Sequence, residues 1–242
     1  MLTLTIGLLC LFSLVTFSAN GAEGLSVYSE VPGLAPSEHF KAQVKPATER
    51  EGWSSAFMWQ TSSKKDKDDI EKYPKHLAGW THSYINFEMD GPVEIELSRV
   101  DQQPIRSASP HPIKKVKSCT IRDGKVYIVL DKPCLVAIDI DGQMNSQNTG
   151  MGYKGPAIHA FSIFANPPVN DKPKLDDPTV FYAKPGEIPP AEGTWKTLYF
   201  LPGVHDLGAA FPVHANRRYF IPGNALVYGS FSNHKKWVFY LS

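Results

Sequence analysis

The chain has 242 residues, with 25 basic against 24 acidic side chains and a formal net charge of +1. That balance excludes a nucleic-acid binder, which needs a basic face to meet the phosphate backbone. Its 20 prolines and 18 glycines, with few helix-favouring runs, exclude a helical protein and fit many short strands joined by turns.

Residues 1–22 read as a signal peptide. Leu2 to Ser18 carry no charge, and the apolar core of about 15 residues is short for a membrane span but right for a secretion signal. Ala19 and Gly21 are the small residues a signal peptidase prefers, with cleavage after Gly21 or Ala22. An uncleaved anchor is the alternative reading. No later stretch is long and apolar enough to span a bilayer, so an extracellular protein without membrane attachment is expected. About 220 residues remain, enough for one large all-β domain or two smaller ones.

Residues 23–166 are expected to form a β-sandwich. Residues 23–50 are rich in Pro, Gly and Ser and read as an extended leading segment. Ser54 to Thr61 is a first strand, and the mixed charges of Lys64 to Asp69 mark a solvated loop. Tyr84 to Glu88 is a short strand turned at Asp90-Gly91-Pro92. Val93, Ile95 and Leu97 then alternate with Glu94, Glu96 and Ser98, a period of two with one dry and one wet face. Arg122-Asp123-Gly124 sits between two such alternations and predicts a hairpin, because Gly tolerates the positive φ of a type I′ turn. Val136, Ile138 and Ile140 alternate again before Asp141-Gly142, and His159 to Ala165 closes the series before Asn166-Pro167-Pro168. Strands spaced by eight to twelve residues suit a sandwich.

Cys119 and Cys134 remain after Cys10 leaves with the signal. An even pair in an oxidising compartment predicts a disulfide closing a loop of about 15 residues, a constraint of roughly 3 kcal/mol. No N-x-[S/T] sequon is present.

Residues 167–193 read as a linker with one possible strand at Thr179 to Tyr182. In residues 194–242, Leu198-Tyr199-Phe200-Leu201-Pro202-Gly203 is echoed by Arg218-Tyr219-Phe220-Ile221-Pro222-Gly223, 20 residues later (222 − 202). One strand and one turn per unit fit successive coils of a parallel β-helix, with Tyr199 and Tyr219 on parallel strands.

The runs INFEMDGPVEIELSRVDQQPI, GKVYIVLDKPCLVAIDIDG, HAFSIFANPP, TLYFLPGVHDLG and RRYFIPGNALVYGSF, in that order, resemble the N-terminal part of glycoside hydrolase family 49. Those are dextranase- and isopullulanase-like enzymes, and the resemblance covers roughly residues 80–232. It implies an all-β chain in which an immunoglobulin-like antiparallel β-sandwich leads into the first coils of a right-handed parallel β-helix. It also implies a polysaccharide, such as an α-glucan, as partner. The family's catalytic Asp residues lie on later coils, so none is carried over, and a truncated product inactive on its own is expected. Trp237, Phe239 and Tyr240 are then expected to cap the last coil. The competing reading is a non-catalytic secreted β-sandwich that binds polysaccharide or protein.

The residues themselves point to no catalytic, cofactor or metal site. Asp139 and Asp141 share one strand face, as the two carboxylates of a glycosidase must face one sugar, but that spacing also suits a strand end entering a Gly turn. Asp176-Asp177 reads as a solvated turn and Asp206 as a coil corner. The calcium-loop start Asp139-Ile140-Asp141-Gly142 lacks its Glu, position 150 being glycine. The eight histidines form no H-E-x-x-H. Trp53, Trp59, Trp80 and Trp195 are read as packing residues rather than sugar platforms. The oligomeric state is open at this point.

Overall fold

A computed structural model describes residues 24–62, 80–143, 158–174 and 176–232. The signal segment, the charged run Lys64 to Asp69 and the C-terminal aromatics Trp237, Phe239 and Tyr240 lie outside these residues. Among the described residues, all regular elements are strands apart from one 3-10 turn at Ile113–Lys115, and no helix is long and apolar enough to cross a membrane.

Two sheets enclose the main core. The five-stranded sheet runs β3 (Ser54–Ala56), β2 (Phe40–Pro46), β6 (Val93–Arg99), β9 (Lys125–Leu130) and β8 (Ser118–Arg122). The six-stranded sheet orders β1 (Leu25–Val27), β5 (Thr81–Met89), β11 (His159–Asn166), β10 (Cys134–Ile140) and β7 (Ala108–His111), with β4 (Trp59–Ser62) also on β5. Alternation fixes which side chains turn inward. On β6, Val93, Ile95 and Leu97 are buried, while Glu94 and Glu96 face out to Lys45 at 3.0 Å and Lys125 at 2.9 Å. Phe40 and Phe161 meet across the two sheets, 6.0 Å between ring centroids. Each such fully buried apolar side chain contributes about 1.5–3 kcal/mol.

The Asp-Gly hairpin forms as expected. β8 and β9 pair antiparallel through Arg122↔Lys125, and Asp123 and Gly124 both take positive φ, 50° and 72°. The six-stranded sheet is mixed rather than wholly antiparallel. β11 lies antiparallel to β10 and is inserted between it and β5, which makes β5 and β11 parallel over eight residue pairs. The leading segment holds two strands, β1 and β2. The strand expected over Ser54 to Thr61 is two strands, β3 and β4, in different sheets.

The expected Cys119–Cys134 bridge is absent: both are free thiols. The reason is their placement. Cys119 sits on the edge strand of the five-stranded sheet and Cys134 opens β10 of the other sheet. Each sulfur turns to a different carbonyl, Ala108 at 3.9 Å and Lys115 at 3.8 Å.

Beyond residue 179 the pairing becomes parallel. β12 (Val180–Ala183), β13 (Thr197–Phe200) and β16 (Arg218–Phe220) form one ladder. β14 (Gly203–Asp206) pairs with β17 (Ala225–Tyr228), and β15 (Phe211–Pro212) with β18 (Phe231–Ser232). Successive turns of chain thus stack strand on strand around a second core of Trp195, Leu198, Phe200, Leu207 and Phe211. The ladder already includes β12, in the stretch read as linker. Tyr199 and Tyr219 lie on parallel strands, yet one residue out of the register that the repeat suggested. Tyr219 pairs with Leu198, and Tyr199 with Phe220. A one-residue slip exchanges faces, so Tyr219 packs on the core while Tyr199 stacks on Phe220 outside it.

Candidate functional site between sandwich and coils

The second face of β5 carries the meeting of the two parts. Ser83, Ile85, Phe87 and Met89 point into the sandwich, so His82, Tyr84, Asn86 and Glu88 point away from it. Trp59 stands opposite Tyr84 across the β4–β5 pair, its ring parallel within 1° at 5.7 Å. Phe164 of β11 meets Tyr84 edge-on at 5.4 Å. Burial pushes the Tyr84 phenol above its usual value.

Polar contacts then tie the coils to this face. Trp59 Nε1 donates to Asn86 Oδ1 at 3.2 Å, and Asn86 Nδ2 donates to the Gly223 carbonyl at 3.0 Å. Leu226 of β17 packs with Val31, Phe57 and Trp59. Glu88, only 9% exposed, accepts from Tyr28 Oη at 3.1 Å and from Lys172 Nζ at 2.8 Å. The Val169 N–H reaches its second oxygen at 3.4 Å. Burial, together with the Glu88 carboxylate, drives the Tyr28 phenol far above its ordinary range. Outside the coils, Tyr182, Tyr199 and Phe220 form an aromatic column, with centroids 5.5 Å and 5.0 Å apart. Arg218 beside it forks onto both carboxylate oxygens of Asp171, at 2.9 Å and 3.1 Å.

The carboxylates singled out in the sequence do not converge. Asp139 is buried on β10. Asp141 takes φ 55° and leaves the strand, accepting from the N–H groups of Arg106 at 2.8 Å and Ser107 at 3.0 Å. Asp177 accepts from the Thr179 N–H at 2.8 Å and hydroxyl at 2.7 Å. Asp206 holds the Gly208 N–H at 2.9 Å, and Asp176 is exposed. Among the described residues no three His, Cys, Asp or Glu side chains gather as metal ligands.

The tryptophans mostly pack. Trp59 and Trp195 are buried, the latter under the Arg217 guanidinium at 4.0 Å. Trp53 lies edge-on to Tyr127 at 6.5 Å and beneath Lys45 at 5.0 Å, and Trp80 is half-buried ahead of β5. The residues that build the junction, Tyr28, Asn86, Glu88 and Lys172, carried no motif. Tyr84, Asn86 and Glu88 do alternate with apolar residues, which marks them as one face but not as a covered one.

No protein-family model matches the chain, and no curated protein sequence matches it significantly. Solved structures do. Dex49A from Penicillium minioluteum superposes with a TM-score of 0.64 at 17% identity, over 90% of this chain and 51% of that one. The likeness shows a shared all-β fold. The chain spans about half the length of that protein.

Proposed function

We propose that this chain is the N-terminal, non-hydrolytic part of a secreted, dextranase-like glycoside hydrolase, and that it holds polysaccharide and positions the coils. The observation that carries this reading is the junction itself. A sandwich locked through Asn86 and Trp59 onto parallel coils, and through Glu88 onto the segment that leads to them, is of use where a long chain ligand is presented to a coil surface. The likeness to Dex49A supports a polysaccharide of the dextran kind. The secretion part rests on the uncharged run Leu2 to Ser18. The absence of bond cleavage rests on the carboxylates. Glu88 is saturated by Tyr28 and Lys172, Asp171 is paired with Arg218, and Asp177 and Asp206 cap their own turns. A glycosidase needs one carboxylic acid and one free carboxylate facing each other across the sugar.

The test is native electrophoresis of the purified chain in gels cast with dextran or pullulan, alongside a reducing-end assay on the same polymers. Retardation without new reducing ends is expected. Migration unchanged by either polymer refutes polysaccharide binding. Turnover abolished by a single Asp→Asn substitution in this chain refutes the non-hydrolytic part.

A further inference from the structure

A second place on the sandwich has the makings of a ligand site. A cleft of about 450 Å³ opens between the β1–β2 connection and the outer face of β3, β2 and β6. That volume lies within the range of small-molecule sites. Its polar wall is set by register: Ser55, Gln43 and Glu96 stand abreast on the three strands, and Lys41 stands opposite Ser98. Neighbouring strands are about 4.8 Å apart, so these groups form a polar row about 10 Å long. Leu34, Met58 and Val100 supply an apolar side.

The chemistry of this lining selects its ligand. Among the described residues, Gln43, Ser55 and Ser98 have no side-chain partner, so an amide and two hydroxyls are left to face the cleft. Glu96 is taken by Lys125 Nζ at 2.9 Å and by the Tyr127 hydroxyl at 2.8 Å. The lining itself carries two carboxylates, Glu30 and Glu96, against one ammonium, Lys41. A phosphate or sulfate would meet more negative than positive charge there. An apolar ligand would leave the amide and hydroxyls dry and unbonded, at a cost. A neutral polyol with C–H faces and many hydroxyls satisfies both walls.

We propose that this cleft binds a short segment of a neutral saccharide, as a sugar subsite on the sandwich whose Leu34 and Phe57 wall adjoins the cluster that packs on the coils. It rests on the polysaccharide reading above and gives that reading a location.

The test uses the full chain and titrates isomaltotriose, maltotriose and glucose 6-phosphate by NMR or calorimetry. Gln43→Ala should weaken the neutral trisaccharide by roughly 2- to 12-fold, the span of one hydrogen bond. Ser98→Phe fills the cleft from a solvent-facing strand position that tolerates an aromatic ring. It should weaken binding more than about tenfold, with an unchanged circular dichroism spectrum. Tighter binding of the phosphorylated sugar overturns the proposal. So does a parent chain that binds polysaccharide while both variants bind as well as the parent, which leaves the polysaccharide reading standing. A parent chain that binds none of the sugars or polymers removes that reading together with the subsite.

Discussion

Replacing Gly223 with alanine puts a Cβ 2.3 Å from Tyr28 Cε2, 2.9 Å from Tyr28 Cδ2 and 3.0 Å from Asn86 Nδ2. Ordinary contact begins at 3.4 Å, so the tyrosine ring must retreat by about 1.1 Å (3.4 − 2.3). Tyr28 is poorly placed to yield, since its hydroxyl is held by Glu88 at 3.1 Å and Glu88 is in turn held by Lys172 at 2.8 Å. Asn86 is pinned by Trp59 and by the Gly223 carbonyl. Overpacking a site of this kind costs about 1–3 kcal/mol. In a chain of this size each kcal/mol lowers Tm by about 2–4 °C, so a fall of about 2–12 °C is expected. The assay is thermal unfolding of the parent, Gly223→Ala, Tyr28→Ala and the double variant. Tyr28→Ala removes the nearest obstruction and leaves only the 3.0 Å approach to Asn86 Nδ2, so in that background the added methyl should cost less than it does in the parent. Additive costs within about 0.5 kcal/mol, or a Gly223→Ala chain that melts with the parent, would refute the reasoning.

In a Cys10→Ser chain, two thiols should react with Ellman's reagent without prior reduction, slowly in the native state and fast in urea. Burial raises both thiols above their ordinary value, for Cys134 against the opposing pull of Lys115 and Lys132. A chain that yields thiols only after reduction would contradict the free pair. A second expectation concerns pH. Burial lowers the pKa of His82 and of His159, and for His159 the stacked His39 ring at 3.7 Å and Arg99 add to it. Both are therefore neutral in the fold and take up protons more readily when unfolded. Their contribution is present above the ordinary histidine value of 6.5 and is lost as pH falls through and below it. Urea midpoints should drop between pH 7.5 and pH 5.5, and a His82→Asn/His159→Asn chain should show a flatter slope. Equal slopes in the two chains would show that other groups carry the effect.

Local chemistry was legible in the sequence, and distant pairing was not. The β8–β9 hairpin could be read from four residues because Asp123-Gly124 sets its own turn. The alternation of β6 named its buried face because period two needs no partner. β2 escaped notice for the opposite reason. It lies in the stretch read as an extended leading segment, and its partner β6 begins almost 50 residues later. The cysteines failed in the same way, since compartment and spacing say nothing about which sheet each strand joins. The repeat places Tyr199 and Tyr219 on parallel strands, as found, but aligning it on its Pro-Gly pairs does not give the register. The offset between paired strands changes around the coil, from 21 residues at Leu198↔Tyr219 to 22 at Gly203↔Ala225 and 20 at Phe211↔Phe231.

The junction shows why a site can hide in a well-read strand. Tyr84 to Glu88 reads correctly as a strand, and Glu88 on its outward face looks like a solvated charge. It is buried because Tyr28, 60 residues earlier, and Lys172, far along the chain, close over it. A buried carboxylate is costly unless paired and hydrogen-bonded, and here it has a cation and two donors. The pairing makes Glu88 a fastener, because pulling the Val169 to Lys172 segment away would leave its buried charge without a cation. The same logic separates the two candidate regions of the sandwich. At the junction the polar groups are spent on one another, which suits rigidity. In the cleft over β2 and β6 the amide and hydroxyls are unspent, which suits a ligand that brings hydroxyls of its own.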